Sequence, residues 1–509
     1  MIDSSGAARP APPPAQAMAP GPADARRIGV IQRLLARLGY LAPGYAPRSL
    51  DAPTQAAFAR FRQDRGTLDA EIHSEGFLRQ LISAVSRGGK IDGLDLVVDQ
   101  AQIHETQSNL RKLGYAPGPI DGIFGFATMS AIEIFQEDFR MQELGLLTTN
   151  MYDAIRRAAE NQDVPFKGEV RVLNWTDYID PEILRSFERE TEIRVVYEVF
   201  SSAEDADRIM GPDYDAYDLV LNPSYKIPGW ISSGRLAPID AGRLTNYAGI
   251  DPGFWAYSTD WDPGRAKDTP YAIPYMWGVV GLVMDSGKVG RLLGPTSESW
   301  GLLLDPGKVS RLASCGVIIA DEPNEMLMAM AGYVTSPKSR LSPQVVAELG
   351  QFLSQSAQHI EVVDAERFIE RVKSENFCLA VGYSGDAMTA MRAHAADRSK
   401  TASIRYFIPE KEGSSVWIDY FTLSARSANQ DAALRFLDYL LKAEVAGLNT
   451  NHVNYANPVA ASGPFIDKAL LENPAIYPST QVWGTLSMAN QVDAALQDQI
   501  DRIWSQLKR

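Results

Sequence analysis

Residues 168–187, GEVRVLNWTDYIDPEILRSF, decide the fold of the larger, C-terminal part of the chain. The short run Glu169–Leu173 predicts a buried strand. Asp180 and Pro181 predict the start of a helix, because Asp is a favoured N-cap residue and Pro fits the first helical turn. The apolar face of that helix is formed by Ile183, Leu184 and Phe187. A strand followed at once by a helix is the repeating unit of an α/β fold.

The same alternation continues to the C terminus. Arg194–Val199 and Asp218–Leu221 are the next predicted strands. Two later segments carry apolar residues at helical spacing. They are Ala433, Phe436, Leu437, Leu440 and Leu441, and then Val492, Leu496, Ile500, Ile503 and Leu507. The pattern from residue 166 onward therefore predicts an α/β domain of two lobes.

Length and composition limit the possible classes of protein. A chain of 509 residues is too long for one core, so several folding units are expected. Its net charge of −14 argues against nucleic acid as a partner, since phosphates need a basic surface. No run approaches the roughly 18 apolar residues of a membrane span.

The first residues, 1–25, are rich in Ala and Pro and predict a disordered, semi-extended tail. This segment lacks the apolar centre of an export signal. We therefore expect either a cytoplasmic chain or one that begins after a removed signal.

An internal repeat lies between this tail and the α/β part. IQRLLARLGY at 31–40 recurs as TQSNLRKLGY at 106–115. Each copy predicts a helix, a glycine turn, a loop, a second helix and a short third helix, near 77–85 and 150–158. Three further positions repeat: Thr54, Ala57 and Phe61 recur as Thr128, Ala131 and Phe135. We predict two small all-α three-helix domains, at 26–90 and 99–162.

The repeats resemble the peptidoglycan-binding domain type 1 family. The second copy carries the family pattern in LGY at 113–115, DGIFG at 121–125 and Thr128. The first copy keeps LGY at 38–40 but has SLDAP at 49–53, where the family has its Asp-Gly-x-x-Gly loop. The resemblance implies peptidoglycan as a partner of the second copy and a degenerate first copy. The alternative is that both copies are spacers or interaction modules.

The sequence offers little for catalysis. The five histidines are His73, His104, His359, His394 and His452. None of them stands at zinc-ligand spacing, and the chain lacks a Gly-x-Ser-x-Gly elbow, a phosphate loop and a Gly-x-Gly-x-x-Gly motif. A Cys/His nucleophile remains possible in principle. We predict a protein that is not an enzyme, with no metal and no cofactor.

A different chemistry is indicated by carboxylates next to aromatic residues. A diamine needs a carboxylate at each end and apolar or aromatic walls along its methylenes. That pairing occurs in WTDY at 175–178, YSGD at 383–386 and WID at 417–419. Trp417 and Asp419 would point the same way, because residues i and i+2 of a strand share a face. Taken singly, each aromatic fits a core position and each Asp a cap or turn.

The whole span from about 167 to 509 resembles the polyamine-binding periplasmic receptors of ABC importers, which bind putrescine or spermidine, and their putrescine branch most of all. The matching stretches, in order, are NWTDYI at 174–179, YDLV at 217–220, PYMW at 274–277, SCGV at 314–317, FCLAVG at 377–382, WID at 417–419 and YAN at 455–457. The resemblance implies a small cationic ligand such as putrescine, an ABC permease as partner, a periplasmic location and a monomer.

The resemblance also implies a set of ligand-binding residues. Those of the first lobe are Trp175, Thr176, Asp177, Tyr178 and Ser224, and Glu325 reaches in from the second lobe. Asp386 and Asp419 carry the main charge, while Tyr383, Trp417 and Tyr455 form the aromatic walls. Lys226 stands where the family has an aromatic residue. Either its loop has shifted and Lys226 faces solvent, or the ligand specificity is altered.

Cys315 and Cys378 fall where the putrescine branch has a disulfide. The resemblance therefore implies a bridge and an oxidising compartment. Two buried free thiols are the alternative.

The expected architecture is a type II periplasmic-binding-protein fold over 166–509. The resemblance implies one lobe from about 168–280 and 418–455, and the other from about 281–417 and 456–509. A ligand would bind between the lobes, which close by a hinge motion. A ligand-sensing or cell-wall scaffolding protein that reuses the receptor fold is the alternative function.

Overall fold

The computed structural model describes residues 22–42, 46–66, 72, 74–86, 96–139, 141, 145–200, 216–259, 261–396, 403–488 and 492–508. The chain divides into two compact units, residues 1–162 and 163–509. The predicted tail lies outside the described residues as far as residue 21. Within the described ranges, no helix combines the length and the apolar character needed to cross a membrane.

The first unit is helical, as the repeat pattern predicts. Its helices are α1 (Pro22–Arg37), α2 (Ala52–Arg65), α3 (Glu75–Ser86), α4 (Gln100–Lys112), α5 (Phe126–Asp138) and α6 (Thr149–Glu160). Each repeat contributes three of them. Gly39 and Gly114 follow the first helix of each copy with φ values of 76° and 92°, a backbone region that favours glycine.

A buried glutamine in the first helix organises the loop of each repeat. Gln32 donates a hydrogen bond from its amide to Thr54 Oγ1 over 2.8 Å. In the second copy, Gln107 donates to Thr128 Oγ1 over 3.1 Å and accepts from the backbone N–H of Gly122 over 2.9 Å. A glutamine of the first helix therefore holds the loop at 121–125 in the second copy, and its equivalent holds the different loop at 49–53 in the first copy.

The two repeats also pack on each other, which the sequence did not predict. Arg33 Nη2 lies 2.8 Å from Glu133 Oε1, and Glu133 is buried. Next to this ion pair, the guanidinium of Arg27 stacks 4.9 Å above the ring of Phe126. The first helix of one repeat thus contacts the second helix of the other.

The second unit is α/β, which confirms the predicted fold class. Its strands are β1 (Gly168–Trp175), β2 (Ile193–Phe200), β3 (Leu219–Pro223), β4 (Leu236–Ala237), β5 (Ala272–Asp285), β6 (Val317–Ala320), β7 (Ile360–Val363), β8 (Leu379–Tyr383), β9 (Ile404–Phe407), β10 (Ser414–Ser424) and β11 (Leu486–Met488).

Helices connect these strands and cover the sheet. They are α7 (Pro181–Thr191), α8 (Ile227–Ser232), α9 (Pro252–Trp255), α10 (Ser286–Leu293), α11 (Gly301–Leu304), α12 (Pro306–Leu312), α13 (Pro323–Val334), α14 (Pro343–Ser356), α15 (Ala365–Lys373), α16 (Ser384–Ala396), α17 (Gln430–Leu440), α18 (Ala443–Val453), α19 (Lys468–Leu471), α20 (Thr480–Trp483) and α21 (Ala494–Leu507). Asp180 caps α7 as predicted, accepting the backbone N–H of Glu182 over 2.9 Å.

The strands are hydrogen-bonded in the order β2-β1-β3-β10-β5-β8-β6-β7, with β4 and β11 beside β10 and β9 beside β5. The long strand β5 joins the two halves of this order. Its residues 272–279 pair with β10, and residues 280–285 pair with β8 and β9. One half is built on β1, β2 and β3, and the other on β6, β7 and β8.

The chain after β10 contacts both halves. Ala456 forms a bridge with Trp277, and Val459 forms one with Ile250, so this stretch contacts the half that contains β1. In contrast, Ile503 of α21 lies against Gly350 of α14 in the other half. The chain after β10 therefore packs on both halves, and the predicted lobe bounds stay a prediction.

Cys315 and Cys378 form a disulfide with a Cα–Cα distance of 5.5 Å, which confirms the predicted pairing. The bridge joins the turn before β6 to the residue before β8. Next to it, the backbone N–H of Cys378 donates to the carbonyl of Gly316 over 2.8 Å. Gly316 has a φ of 99°, a conformation that a residue with a side chain rarely adopts.

Candidate functional site

The candidate site lies at the carboxyl ends of parallel strands from both halves. Tyr178 follows β1, Lys226 follows β3, Glu322 follows β6, and Tyr383 is the last residue of β8. Between them, β10 carries Trp417 and Asp419. Ligands of open α/β sheets bind in the crevice outside the carboxyl ends of the strands, so this cleft is the natural binding site.

The side chain of Trp417 is the centre of an aromatic cluster. Its ring centroid lies 5.0 Å from that of Tyr455, 5.8 Å from that of Tyr383 and 6.5 Å from that of Tyr178. Tyr178 in turn lies 5.8 Å from Tyr455. Trp417, Tyr178 and Tyr455 are buried. The cluster provides the flat, apolar surface that methylene groups and cations both favour.

Two glycines allow these rings to pack against the backbone. A Cβ atom on Gly278, which pairs with Trp417 across β5 and β10, would lie 2.5 Å from the indole ring. A Cβ atom on Gly385 would lie 2.4 Å from the ring of Tyr455. Because real Cβ atoms do not approach so closely, both positions require glycine for the aromatic walls to stand where they do.

Three carboxylates of the site interact electrostatically. Burial, and secondarily the charge of Glu325, raises the pKa of Asp419 to about 8, although the neighbouring phenol of Tyr178 opposes the shift. Burial raises the pKa of Glu325 to about 7, against a hydrogen bond with Tyr383. Burial and then the charges of Glu325 and Asp321 raise the pKa of Glu322 to about 8. Each acid is thus crowded by the others in a poorly solvated site.

A fourth carboxylate, that of Asp386, is bonded to Tyr455 of the aromatic cluster. The phenol of Tyr455 donates a hydrogen bond to Asp386 Oδ1 over 2.7 Å and accepts one from the backbone N–H of Asp386 over 3.3 Å. Burial raises the pKa of Asp386 to about 6, while the bond from Tyr455 opposes the shift. Asp386 lies in the first turn of α16, where the helix dipole favours the ionised form.

The loop after β3 contributes a cation to this acidic cleft. Pro223, the last residue of β3, pairs with Asp419 of β10. Ser224 is buried, and Lys226 is half-buried, with its backbone N–H bonded to the carbonyl of Pro223 over 3.1 Å. The charge of Lys226 lowers the pKa of Glu322 against the other influences on that acid.

The structure brings together most of the residues that the sequence analysis assigns to the ligand. They are Tyr178, Glu325, Tyr383, Asp386, Trp417, Asp419 and Tyr455, with Ser224 and Lys226 in the adjoining loop. The turn before Tyr178 differs. The Thr176 hydroxyl bonds to the carbonyl of Phe200 over 3.1 Å, and the Trp175 ring packs 4.4 Å from that of Phe200. Asp177 is exposed, with a left-handed φ of 54°.

Sequence reasoning missed Glu322 and the two glycines. Asp386 and Asp419 have aromatic neighbours in the chain, whereas DEPNE at 321–325 contains no aromatic residue. Glu325 of this run was assigned only through the family resemblance. A usable signal was present, because this acidic run directly follows the apolar strand β6, as Asp386 follows β8. For Gly385 the partner ring belongs to Tyr455, 70 positions away, so local sequence carries no sign of the contact.

Fold and cleft together define a two-lobed ligand-binding receptor. A family described as bacterial extracellular solute-binding protein matches residues 182–472, and a putative peptidoglycan binding domain matches residues 99–155. The chain therefore belongs to the bacterial extracellular solute-binding proteins. This confirms the predicted family resemblance and the predicted location outside the cytoplasm, in the periplasm.

Individual relatives agree with this assignment. The putrescine/agmatine-binding protein of Pseudomonas aeruginosa is 30% identical over 370 residues, which are 72% of this chain and 99% of that protein. The putrescine-binding periplasmic protein of Escherichia coli is 30% identical over 342 residues, 67% of this chain and 91% of the relative. The spermidine/putrescine substrate-binding protein of Streptococcus pneumoniae superposes with a TM-score of 0.56 at 25% identity, covering 67% of this chain and 99% of that one.

Proposed function

We propose that residues 163–509 bind a small organic cation with an amine at each end, of the putrescine class. The observation that carries this proposal is that acids of the cleft form two groups beside one aromatic cluster. Asp419 and Glu325 interact with each other, and Asp386 is hydrogen-bonded to Tyr455. Trp417 contacts the rings of both Tyr383 and Tyr455. Such a cleft matches two ammonium groups joined by methylenes.

The relatives support the same ligand class. The proteins from Pseudomonas aeruginosa and Escherichia coli are described as binding putrescine, and the former also agmatine. Both are covered over nine-tenths or more of their length. We extend that ligand class to this chain because the acids and aromatic residues that would recognise a diamine are present in its cleft.

In this proposal the protein binds and releases its ligand without covalent chemistry. The ligand would contact carboxylates from both halves of the sheet order, Asp419 from β10 and Glu325 from α13. Ligand binding therefore favours the closed form, in which the two halves approach each other. The binding free energy shifts the population from the open form to the closed form. The closed monomer would then deliver the ligand to the permease of an ABC importer.

Calorimetry with putrescine, cadaverine, agmatine, spermidine and neutral amino acids tests the ligand class. We expect putrescine-class amines to bind and the amino acids not to bind. Asp386→Asn and Asp419→Asn should each weaken binding at least 100-fold, about 2.7 kcal/mol, because each leaves one ammonium desolvated and unpaired. Asp431→Asn is the matched control, since Asp431 is exposed and pairs with Arg243 outside the cleft. Wild-type affinity in both cleft variants would remove the assignment.

We also propose that the second repeat attaches the receptor to peptidoglycan. The support is the match of residues 99–155 to a putative peptidoglycan binding domain, together with the ordered loop at 121–125. Ile123 at the tip of this loop is an exposed large apolar side chain. An exposed apolar residue on a rigid loop is typical of a contact surface.

A further inference from the structure

One face of helix α16 is hydrogen-bonded to the short stretch that follows α18. Asp386, Thr389 and Arg392 occur at intervals of three residues, so they are neighbours along the surface of α16. Asp386 accepts a hydrogen bond from the phenol of Tyr455 over 2.7 Å. The adjacent residue, Asn454, donates from its amide to Thr389 Oγ1 over 3.0 Å and accepts from Arg392 Nη1 over 2.6 Å. Three residues of one helix are thus bonded to two consecutive residues of another segment.

These bonds join the two halves of the α/β unit. Helix α16 directly follows β8, in the half built on β6, β7 and β8. Helix α18, which ends just before Asn454, is fixed to the other half through Asn449. The side chain of Asn449 accepts the backbone N–H of Asp180, which precedes α7, over 2.9 Å, and donates to the hydroxyl of Tyr275 in β5 over 2.8 Å. The bonds of Asn454 to α16 therefore cross from one half to the other, next to Asp386.

The position of Asn454 suits an amide side chain. Its φ of 60° is left-handed, a conformation that Asn tolerates better than most residues with a side chain. Its backbone N–H donates to the carbonyl of Thr450 over 2.9 Å and so ends α18. A guanidinium has only donors, so the amide oxygen faces Arg392 and the amide nitrogen is left for Thr389. Because Asn454 is buried, loss of these partners would leave polar atoms unsatisfied unless the halves separated.

Arg392 also reaches a second point on the side of α18. Its Nη2 atom lies 3.7 Å from Asp467 Oδ2. The backbone N–H of Asp467 donates to the side chain of Asn451 in α18 over 2.7 Å, so this carboxylate is tied to the same helix. The ion pair is partly exposed and contributes little by itself. It gives the guanidinium two contacts on the same partner segment.

We propose that Asn454, bonded to Thr389 and Arg392, is an interlobe clasp that positions Asp386 beside Tyr455. Asp386 belongs to one half and Tyr455 to the segment fixed to the other, so their bond forms only when the halves are arranged as in this structure. The clasp stabilises that arrangement before a ligand binds. Less of the binding free energy is then used to bring the halves together. This goes beyond the proposed function and rests on it only in taking Asp386 as an acid that binds the ligand.

The test measures the distance between the halves in the full chain, by dipolar spectroscopy between two spin labels. The labels are attached at Lys267→Cys in the half built on β1 and at Gln351→Cys in the other half, two exposed positions. Cys315 and Cys378 are joined in the disulfide, so only the introduced thiols react with the label. Calorimetry and stopped-flow dissociation with putrescine are carried out on the same proteins.

The variants separate the clasp from the backbone that carries it. Asn454→Gly removes the amide but suits the left-handed φ, so the end of α18 is retained. Arg392→Met removes the donors at similar length, whereas Arg392→Lys is the conservative variant that keeps a cationic donor. Glu192→Gly is the matched control, because Glu192 ends α7 with a left-handed φ of 56° and lies outside the clasp. Thermal melting accompanies each variant, so that an unfolded protein is recognised.

We expect a narrow distance distribution in the ligand-free wild type and a broader one, with a longer mean, in Asn454→Gly and Arg392→Met. Putrescine should restore the wild-type distance in both, with affinity lower by about fivefold or more and dissociation faster by a similar factor. Arg392→Lys should retain most of the affinity, and Glu192→Gly should behave as the wild type. The double variant of Asn454→Gly and Arg392→Met should lose no more than the weaker-binding single variant, because both changes remove one contact.

The outcomes distinguish the clasp from the function of the cleft. If ligand-free Asn454→Gly and Glu192→Gly give the same distance distribution, the clasp does not hold the halves and the proposal is overturned. Losses of affinity that add in full in the double variant would also overturn it, since the two residues would then act separately. If the wild type binds no amine, the proposed function fails, while the distances in the ligand-free variants still decide whether the clasp exists.

Discussion

Tyr455 and Asp386 are joined by two hydrogen bonds, one from the phenol to the carboxylate over 2.7 Å and one from the backbone N–H of Asp386 to the phenol over 3.3 Å. Tyr455 follows α18 and adjoins Ala456, which bridges to β5. Asp386 lies in the first turn of α16, the helix that directly follows β8 in the chain. One phenol thus orients Asp386 and also belongs to the aromatic wall.

Removal of that phenolic hydroxyl should weaken ligand binding without unfolding the protein. Tyr455→Phe keeps the ring against Trp417 but removes the hydrogen bond that the phenol donates to Asp386. The ionised form of Asp386 is then less stable. We expect a loss of about 1 to 1.5 kcal/mol, roughly tenfold in affinity for putrescine. Calorimetry measures the loss, and Tyr257→Phe, outside the cleft, should bind as the wild type does. Equal affinity of the two variants would contradict this role for Tyr455.

Ligand affinity should depend on pH in a direction fixed by the acids of the cleft. The pKa values of Asp386, Glu325, Glu322 and Asp419, about 6, 7, 8 and 8, are raised chiefly by burial. At pH 7 the empty cleft therefore holds protons that a cationic ligand must displace. We expect affinity to rise from pH 6 to pH 8 and to level off above it, with protons released on binding. Titrations in buffers of different ionisation enthalpy measure the release.

The same acids fix the sign of the stability change in the unliganded protein. Because their folded pKa values lie above the unfolded values near 4, the folded state binds more protons between about pH 4 and pH 8. The free energy of unfolding should therefore decrease as the pH rises through that window. The rise in melting temperature caused by putrescine should be larger at pH 8 than at pH 6. A rise that is independent of pH would contradict the proton linkage.

Two glycine substitutions test whether the aromatic walls are held by close packing. Gly385→Ala and Gly278→Ala would each place a Cβ atom within 2.5 Å of a cleft ring. We expect each to cost about 1 to 3 kcal/mol of stability and to weaken putrescine at least tenfold, because the ring must move. Gly290→Ala is the matched control: it lies in helix α10 with open space at its Cβ position. That variant should bind normally and be equally or more stable.

The fold was predictable where the signals are local. Asp180 and Pro181 mark the start of α7, and the apolar spacing of residues 433–441 marks α17, because caps and periodicity are read within one element. The packing of Arg33 on Glu133 was not predictable, since their separation of 100 positions leaves no local pattern.

The residues of the candidate site were likewise predictable only where their signal is local in the sequence. Asp386 and Asp419 were found because each stands beside an aromatic residue in the chain. Glu322 was missed because the groups that influence its pKa are distant in the chain, Asp419 of β10 and Lys226 after β3 among them. Thr176 and Asp177 share the turn of Tyr178, yet the Thr176 hydroxyl is occupied by the backbone of β2. Adjacency in sequence does not decide which side chains of a turn face the cleft.

The disulfide should be complete and stabilising in exported protein. Under denaturing, non-reducing conditions a maleimide should label no thiol, and two per chain after reduction. A bridge between residues 63 positions apart restricts the unfolded chain by about 4 kcal/mol in the loop-entropy model. The paired change Cys315→Ser with Cys378→Ser should therefore lower the melting temperature by several degrees while putrescine still binds. Two labelled thiols without reduction would contradict the bridge.

The attachment to peptidoglycan can be tested by one pair of matched substitutions in the full chain. Gln107 holds the loop at 121–125 through Gly122 and Thr128, and Gln32 occupies the equivalent place in the first repeat. Each change to Ala removes a buried amide with similar contacts, so both should cost a similar amount of stability, about 1 to 3 kcal/mol. Only Gln107→Ala should release the protein from purified sacculi in a co-sedimentation assay, because only the second repeat carries the Asp-Gly-x-x-Gly loop. Residues 163–509 alone should remain in the supernatant. If Gln32→Ala lowers sedimentation as much as Gln107→Ala, the first repeat shares in binding, and if neither does, the loop at 121–125 is not the attachment surface.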